Sequence, residues 1–543
     1  MKPFRNNHLL LLLLACIAIF FVNLDALYVN IMEARNFTTA REMLDDGNWL
    51  LTTLNGEPRY QKPPLPTWIT AISGAIFGLQ NIAALRMPAA FMGLLLIAIS
   101  YVFTLKITKE KTYAFVSSLV MATSFYVVSA SRDGNWDIFT HAFMMACIWQ
   151  LYLFFTSEEK KYQHALIAAL FFGCSFMSKG PVSLYALLLP FLISFGIVYR
   201  YRSFKSRWGP MVLFLIVSAL ISGWWHWYTY TFDPETVAEI TKRETSNWTG
   251  YNVRPFYYYW SFFTQSGVWT IMAFIGLLYP YLKNRVFDKR AYRFTFLWTI
   301  ISLVLLSIIP EKKSRYLLPV LIPLALNTGF YIEYLFRRFS ELKDRRETWP
   351  VYFNFGLISV IGLVFPVGGY FLLKDQLAGN WLMFTLLSLT LFSIGFFMLR
   401  NLFRKNIRAV FFGTIFFIAS IICFGMPLAK TLTVNPEYKS LAELNEWQEK
   451  MNVKVYEITY FTPELIWAYG KPIEVLSRNG KVRIPDEDKF GVLVPFEGVK
   501  QFESAFEAFN KEKIRRYDMN PKSEGERSHK TRLYRDLYLV SRR

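Results

Sequence analysis

The sequence predicts an all-helical polytopic membrane domain followed by a small α/β domain, and three observations predict it. Uninterrupted apolar runs, each of roughly 18 residues or more, recur along most of the chain, and that is the length a helix needs to cross a hydrocarbon core. Lys and Arg gather in alternate short loops, the pattern that orients membrane proteins. From Asn435 onward hydropathy falls, and short β-like runs mix with helical patterns.

Composition bounds the function. The chain is 53% hydrophobic and 18% aromatic with a formal net charge of +20. In such a setting positive charge serves topology and contact with anionic membrane lipids. No basic-aromatic motif of a nucleic-acid fold occurs, so nucleic acid is not expected as a partner. Cys16, Cys147, Cys174 and Cys423 all fall in apolar segments without metal-ligand spacing, which predicts buried free thiols. The run Leu9–Val22 after Lys2 and Arg5 resembles a signal peptide but lacks a small-residue cleavage site, so it reads as a retained first span.

Spans are expected at 9–27, 87–105, 113–130, 138–156, 165–178, 182–199, 209–230, 261–282, 292–309, 316–336, 351–373, 380–399 and 409–428. Charge decides whether the apolar segment 64–79 is another. If it crosses, the basic loops 106–111, 200–207, 283–290, 337–346 and 400–408 all fall outside. If it lies in the interface or re-enters, they all fall inside with the basic amino terminus. The second arrangement gives about thirteen spans and an external carboxy-terminal tail. Residues 1–429 then form the membrane domain with a first outer loop at 28–86, and 430–543 form the outer α/β domain. In that domain Val453–Tyr460, Phe490–Pro495 and Leu537–Ser541 read as strands, and Ser440–Lys450 and Val499–Asn510 as helices.

The outer loops carry cations that topology disfavours: Arg35, Lys62, Lys179, Arg254, Lys312, Lys313 and Arg315. An anionic group such as a lipid phosphate at the outer face accounts for them. In the first loop, Ile31–Leu44 has helical spacing and is expected along the membrane surface, and Asn55-Gly56 signals a turn. Tyr60-Gln61-Lys62-Pro63-Pro64 follows, where two prolines fix the backbone beside Lys62. Later come Asp137 at the mouth of a span, Ser178-Lys179-Gly180-Pro181, Arg254-Pro255-Phe256-Tyr257-Tyr258, and Glu311-Lys312-Lys313-Ser314-Arg315-Tyr316-Leu317-Leu318-Pro319.

In order and spacing these pieces resemble the membrane-embedded GT-C glycosyltransferases that use polyprenyl-phosphate sugars, in the branch of bacterial 4-amino-4-deoxy-L-arabinose transferases and protein-mannosyltransferase-like enzymes. The resemblance covers about Leu24 to Leu326 and implies thirteen spans with an outer carboxy-terminal domain. Three departures stand out. The family's first loop usually carries Asp-Glu, where this chain has Met32-Glu33. It often has Glu before the Lys-Pro motif, where this chain has Gln61, and the aminoarabinose branch has a metal-associated His near Tyr251 that is missing here. The family's metal-associated residues are thus not matched at these positions, a divalent metal stays open as a cofactor, and so does an acceptor other than lipid A.

Transfer of a sugar from a lipid phosphate needs a base for the acceptor hydroxyl and cations for the departing phosphate. Glu33 and Asp137 are the candidate catalytic carboxylates. Lys62, Lys179, Arg254, Lys312, Lys313 and Arg315, with Tyr316, are candidate phosphate ligands. Arg35 and Tyr60 are candidates for orienting the acceptor. Plainer roles compete: an ion pair of Glu33 with Arg35 or Arg41, a helix-start role for Asp137, snorkelling for Lys179, Lys312 or Lys313, and interface anchoring for Tyr60 and Tyr316. The leading expectation is an inverting glycosyltransferase of a bacterial inner membrane, with a periplasmic site, a polyprenyl-phosphate-linked sugar as donor and an envelope lipid or glycan as acceptor. The alternatives are a protein O-mannosyltransferase-like enzyme, or a transporter of a polyprenyl-linked sugar. A transporter predicts charges near the midplane and inverted repeats; the charges lie at one face and no repeat is evident.

Overall fold

The computed structural model describes residues 7–201, 204–432, 435–478 and 480–543. Lys2, Arg5 and part of the expected inner loop 200–207 lie outside the described residues. The chain divides into two compact units, Met1–Asp25 with Tyr60–Leu428, and Ala26–Arg59 with Ala429–Arg543.

The first unit is the membrane domain. Among the described residues eight helices are long and apolar enough to cross a bilayer: Ile82–Thr108, Asp137–Thr156, Trp208–Phe232, Lys289–Ile308, Ser314–Arg338, Arg345–Leu373, Trp381–Phe403 and Ile407–Gly425. The pair Lys111–Ala122 and Phe125–Arg132, bent by 64°, makes a ninth if counted as one span. The expected spans near the amino terminus and at 182–199 appear as the shorter apolar helices His8–Phe21 and Leu184–Val198, and that at 165–178 as the helix Lys161–Lys179. The expected span 261–282 is broken. A 3₁₀ segment, Phe262–Trp269, gives way to short helices Thr270–Gly276 and Tyr279–Leu282, with Gly267 at φ 68 inside the break. A side chain at Gly267 would also meet Phe125, at 3.2 Å from its Cβ. The segment after the Lys-Pro motif forms a helix, Leu65–Phe77, of 13 residues. At about 1.5 Å per residue it reaches about 20 Å, short of the roughly 30 Å hydrocarbon thickness. All four cysteines are free thiols.

The helix Leu318–Arg338 is the most enclosed, with every residue from Leu318 to Leu335 buried. Neighbouring spans hold it by backbone contacts: the Tyr113 hydroxyl donates to the Leu326 carbonyl at 2.9 Å. A helix so enclosed anchors the outer loop that precedes it.

The second unit holds the carboxy-terminal α/β fold. Its four-stranded sheet has the order Val455–Glu457, Lys489–Val494, Tyr534–Arg542, Phe509–Asp518, with a parallel first pair and antiparallel remainder. The helix expected over Val499–Asn510 ends at Ala505, and Phe509–Asp518 is a strand at the sheet edge. Its charged sequence conceals it: Lys511, Glu512, Lys513, Arg515 and Arg516 suit an edge that must resist further pairing.

The unit also takes in Ala26–Arg59. The helix Ile31–Asp45 starts with a reciprocal cap, in which Asn30 accepts from the backbone N–H groups of Met32 and Glu33 while Glu33 Oε2 accepts from the backbone and side-chain nitrogens of Asn30 at 3.1 and 3.0 Å. Between Glu33 and Met43 only Arg35 keeps partial exposure, so this helix is buried, where the sequence suggests a surface element. Phe37 meets Trp467 edge-on at 5.5 Å. Arg41 lies 5.8 Å from the Trp467 ring and donates to the carbonyls of Ile466 and Trp467 at 3.3 and 3.4 Å, near the carboxy-terminal end of the helix Pro463–Tyr469.

The hairpin Thr53–Leu54 with Glu57–Pro58 turns on Asn55-Gly56, both at positive φ (62 and 74). Buried Glu42 accepts from Thr53 Oγ1 and Asn55 N, and the Asn55 side chain exchanges two 2.8 Å hydrogen bonds with the backbone of Ile473. No atom lies within 4 Å of a Cβ built at Gly56. Gly56→Ala therefore carries only left-handed backbone strain, expected to cost about 1–2 kcal/mol, read as reduced amide protection of the hairpin in the intact chain.

Candidate active site

The site residues of the membrane unit are placed by helix ends and one two-stranded loop contact. In Asp133-Gly-Asn-Trp-Asp, Asn135 Nδ2 donates to Asp133 Oδ2 at 2.6 Å, and Asn135 Oδ1 accepts from the Asp137 backbone at 2.9 Å. This turn sets Asp137 on the first residue of the helix Asp137–Thr156, where the positive end of the helix dipole favours a carboxylate. Lys179 is the last residue of the next helix, Lys161–Lys179, where a cation is favoured. The two helices form a hairpin, so a helix start and a helix end meet. Lys179 Nζ pairs with Asp137 Oδ1, their side chains 8% and 10% exposed.

The segment after the helix Pro234–Gly250 and the loop after the helix Lys289–Ile308 pair with each other. Val253 and Glu311 form an antiparallel bridge, Arg254 N donates to the Pro310 carbonyl and Lys312 N to the Asn252 carbonyl, both at 3.1 Å. The Tyr259 hydroxyl accepts from the Lys313 backbone at 3.2 Å and donates to its carbonyl at 3.1 Å. Two motifs distant in sequence thus become one structure.

Aromatic rings and one carboxylate join the pieces. Lys179 Nζ stands 5.2 Å from the Tyr316 ring centre, Lys313 Nζ 5.6 Å and the Arg315 guanidinium 5.9 Å. Lys313 Nζ also lies 4.8 Å from the Tyr251 ring. Glu311 Oε1 accepts from Lys313 Nζ at 2.6 Å and from the Tyr316 hydroxyl at 3.1 Å. Arg315 Nε is buried and has no acceptor.

The structure therefore brings together Asp137, Lys179, Lys313, Arg315 and Tyr316. Lys312 takes other partners: 3% exposed, its ammonium donates to the carbonyls of Arg254 and Ile309 at 3.1 and 2.6 Å, and burial lowers its pKa. It ties the two loops together. The Arg254 side chain is exposed, and Lys62 is half-buried after Gln61, whose Oε1 is buried without a partner. Tyr60 is buried and donates to Asp233 Oδ2 at 2.9 Å; burial and that carboxylate push its phenol well above the ordinary range. Asp233 also caps the helix Pro234–Gly250. Glu33 and Arg35 belong to the second unit; the Glu33 carboxylate serves the helix cap, and Arg35 Nη1 lies 3.9 Å from Met32 Sδ.

Sequence reasoning assigned no role to Glu311, although it stands inside a quoted motif, because a carboxylate among cations reads as local charge balance. It also passed over His141, one helical turn beyond Asp137, whose Nδ1 lies 2.7 Å from Ser183 Oγ in the buried interior. A lone histidine in an apolar run gives no signal until the Ser178–Ser183 stretch is packed beside it. Gln61 stands where the family often has a carboxylate, and among the described residues no group of three His, Cys, Asp or Glu side chains is placed to hold a metal ion.

Comparison with known proteins agrees with this picture. A family model described as dolichyl-phosphate-mannose-protein mannosyltransferase matches residues 61–227. The undecaprenyl phosphate-alpha-4-amino-4-deoxy-L-arabinose arabinosyl transferase 2 of Proteus mirabilis is 25% identical over 350 residues, covering 61% of this chain and 60% of that protein. An uncharacterized protein of Aquifex aeolicus is 26% identical over 336 residues, covering 60% and 63%. The chain thus spans about three fifths of the length of the curated relatives it matches. The crystal structure of ArnT from Cupriavidus metallidurans bound to undecaprenyl phosphate aligns with 98% of this chain and 97% of its own, with a TM-score of 0.66 at 15% identity. Its apo form gives a TM-score of 0.68 with the same coverage.

Apolar spans followed by a small α/β unit, with charged groups gathered where helix ends meet loops, define a GT-C membrane fold. The chain is a multi-pass membrane protein of that fold, and it resembles the polyprenyl-phosphate-sugar glycosyltransferases.

Proposed function

We propose that this chain is an inverting glycosyltransferase that moves a sugar from a polyprenyl phosphate, undecaprenyl phosphate in a bacterial inner membrane, to an envelope lipid such as lipid A or to a glycan at the periplasmic face. The observation that carries this reading is the convergence of Asp137, Lys179, Lys313, Arg315 and Tyr316 from three separate stretches of chain. In the reaction the acceptor oxygen bonds to the anomeric carbon as the bond from that carbon to the phosphate oxygen breaks. The acceptor proton passes to a carboxylate, and polyprenyl phosphate leaves.

Each group has a part to play. Asp137 and Glu33 are the candidate bases. Lys62, Arg254, Lys313, Arg315 and the Tyr316 hydroxyl are suited to hold the phosphate, Arg through paired hydrogen bonds and Lys as a point charge. Lys179 holds Asp137 in place. A protein hydroxyl as acceptor is the second reading, favoured by the family model over 61–227.

The test is incubation of the purified chain with undecaprenyl-phosphate-linked sugars, supplied with either a membrane lipid extract or a Ser/Thr-containing protein, following release of undecaprenyl phosphate. Release with the lipid extract alone is expected. Release only with protein selects the second reading, and no release with any donor rejects both.

Glu33→Gln separates chemistry from capping, because Gln at the same position also completes the reciprocal cap. Turnover should fall about 10²–10⁴-fold with the fold intact if Glu33 is the base. Unchanged turnover would leave that role to Asp137.

A further inference from the structure

From Glu311 we infer that the site carries its own counter-anion, which the donor phosphate displaces and which re-engages to expel the more highly charged product. This rests on the donor reading above. Two of the groups suited to hold the phosphate, Lys313 Nζ and the Tyr316 hydroxyl, are both directed at one oxygen, Oε1 of Glu311, at 2.6 and 3.1 Å. The carboxylate thus holds the position a phosphate oxygen needs. It is held there by backbone, since the Val253–Glu311 bridge and the hydrogen bonds on either side of it fix the loop. Lys179 is matched by Asp137 and Lys313 by Glu311, while Arg315 Nε remains buried without an acceptor.

Charge sets the direction of exchange. The donor is a phosphodiester with one negative charge. The product, a phosphate monoester, carries about −1.5 to −2 near neutral pH. A fixed carboxylate in a partly desolvated site repels the product more than the donor, because repulsion scales with the product of the charges. Glu311 therefore weakens binding of both lipids and weakens the product most. It is a positioning residue that acts through Lys313 and Tyr316.

The test measures binding of undecaprenyl phosphate, and its inhibition of turnover, in the full-length protein. Glu311→Gln keeps an oxygen that accepts from Lys313 and Tyr316 but removes the charge. Undecaprenyl phosphate should bind about tenfold more tightly, with a matching fall in its inhibition constant and a smaller fall in KM for the donor. Glu311→Ala should shift affinity the same way, and Glu311→Asp, which keeps the charge, should stay near wild type. Equal or weaker product binding in both charge-removing variants overturns the inference. The wild-type comparison of undecaprenyl phosphate with undecaprenol separates the two levels. No preference for the phosphate there overturns the donor reading itself, whereas a preference that Glu311→Gln leaves unchanged overturns only the role of Glu311.

Discussion

Asp137→Asn should lower turnover about 10²–10⁴-fold while undecaprenyl phosphate still binds. The carboxylate sits on the first residue of a helix, enclosed, and paired with a lysine from the adjoining helix end. The helix start and the lysine partner both complement a carboxylate, the group that would take the acceptor proton. Asn is nearly isosteric and its side-chain oxygen still accepts from Lys179, so the hairpin end keeps its geometry while the proton acceptor is lost. Truncation to Ala would instead leave the Lys179 ammonium enclosed without a counter-charge, a loss of about 3–5 kcal/mol when a buried pair is broken, and folding and chemistry would fail together. Release of undecaprenyl phosphate reports turnover, and direct lipid binding reports the site. Near-wild-type turnover in Asp137→Asn would remove Asp137 from the chemistry.

Arg535→Met should destabilise the carboxy-terminal α/β unit by about 3–5 kcal/mol. Arg535 and Glu457 are both 0% exposed, with Nε to Oε2 at 2.8 Å. The guanidinium also donates to the carbonyls of Arg532, Tyr534 and Tyr460. Burial pushes the Glu457 carboxyl up to about 7, and Arg535 opposes that rise. The folded unit thus holds a proton on Glu457 that the unfolded chain releases near its ordinary value of 4.5. The stabilisation from this group is complete below about 4.5 and is lost as pH rises through about 7. Removing Arg535 takes away the opposing cation, so the Glu457 pKa climbs further. The deficit of Arg535→Met should be largest above pH 7 and shrink on acidification. Amide exchange of the strands Lys489–Val494 and Tyr534–Arg542, corrected for intrinsic rates at pH 6 and pH 8.5, measures it. A deficit independent of pH would contradict the charge account.

Much of this was legible in the sequence because the underlying forces are local. Apolar length located most of the helices, the short Leu65–Phe77 among them. The Asn55-Gly56 turn forms as its residue types dictate. The quoted motifs supplied Asp137, Lys179, Lys313, Arg315 and Tyr316.

What was not legible depends on long-range contact. Lys312 and Lys313 are adjacent and chemically alike, yet one ammonium turns to the carbonyls of Arg254 and Ile309 and the other to Glu311. Only the bridge between Val253 and Glu311 decides which. The strand Phe509–Asp518 is hidden by the charges that protect its edge, and the break at Gly267 by the apolar residues around it. The helix Ile31–Asp45 looks interfacial because Phe37 and Arg41 meet Trp467 from the far end of the chain.

That last feature has a consequence for biogenesis. Ala26–Arg59 leaves the ribosome before Trp467 and Ile473, which receive Phe37, Arg41 and Asn55 and are translated only after every intervening span. During that interval the earlier segment waits without its packing partners. Completion of this unit is therefore a late checkpoint, and a nascent chain that stops short of Ile473 leaves the helix Ile31–Asp45 and its hairpin unfinished.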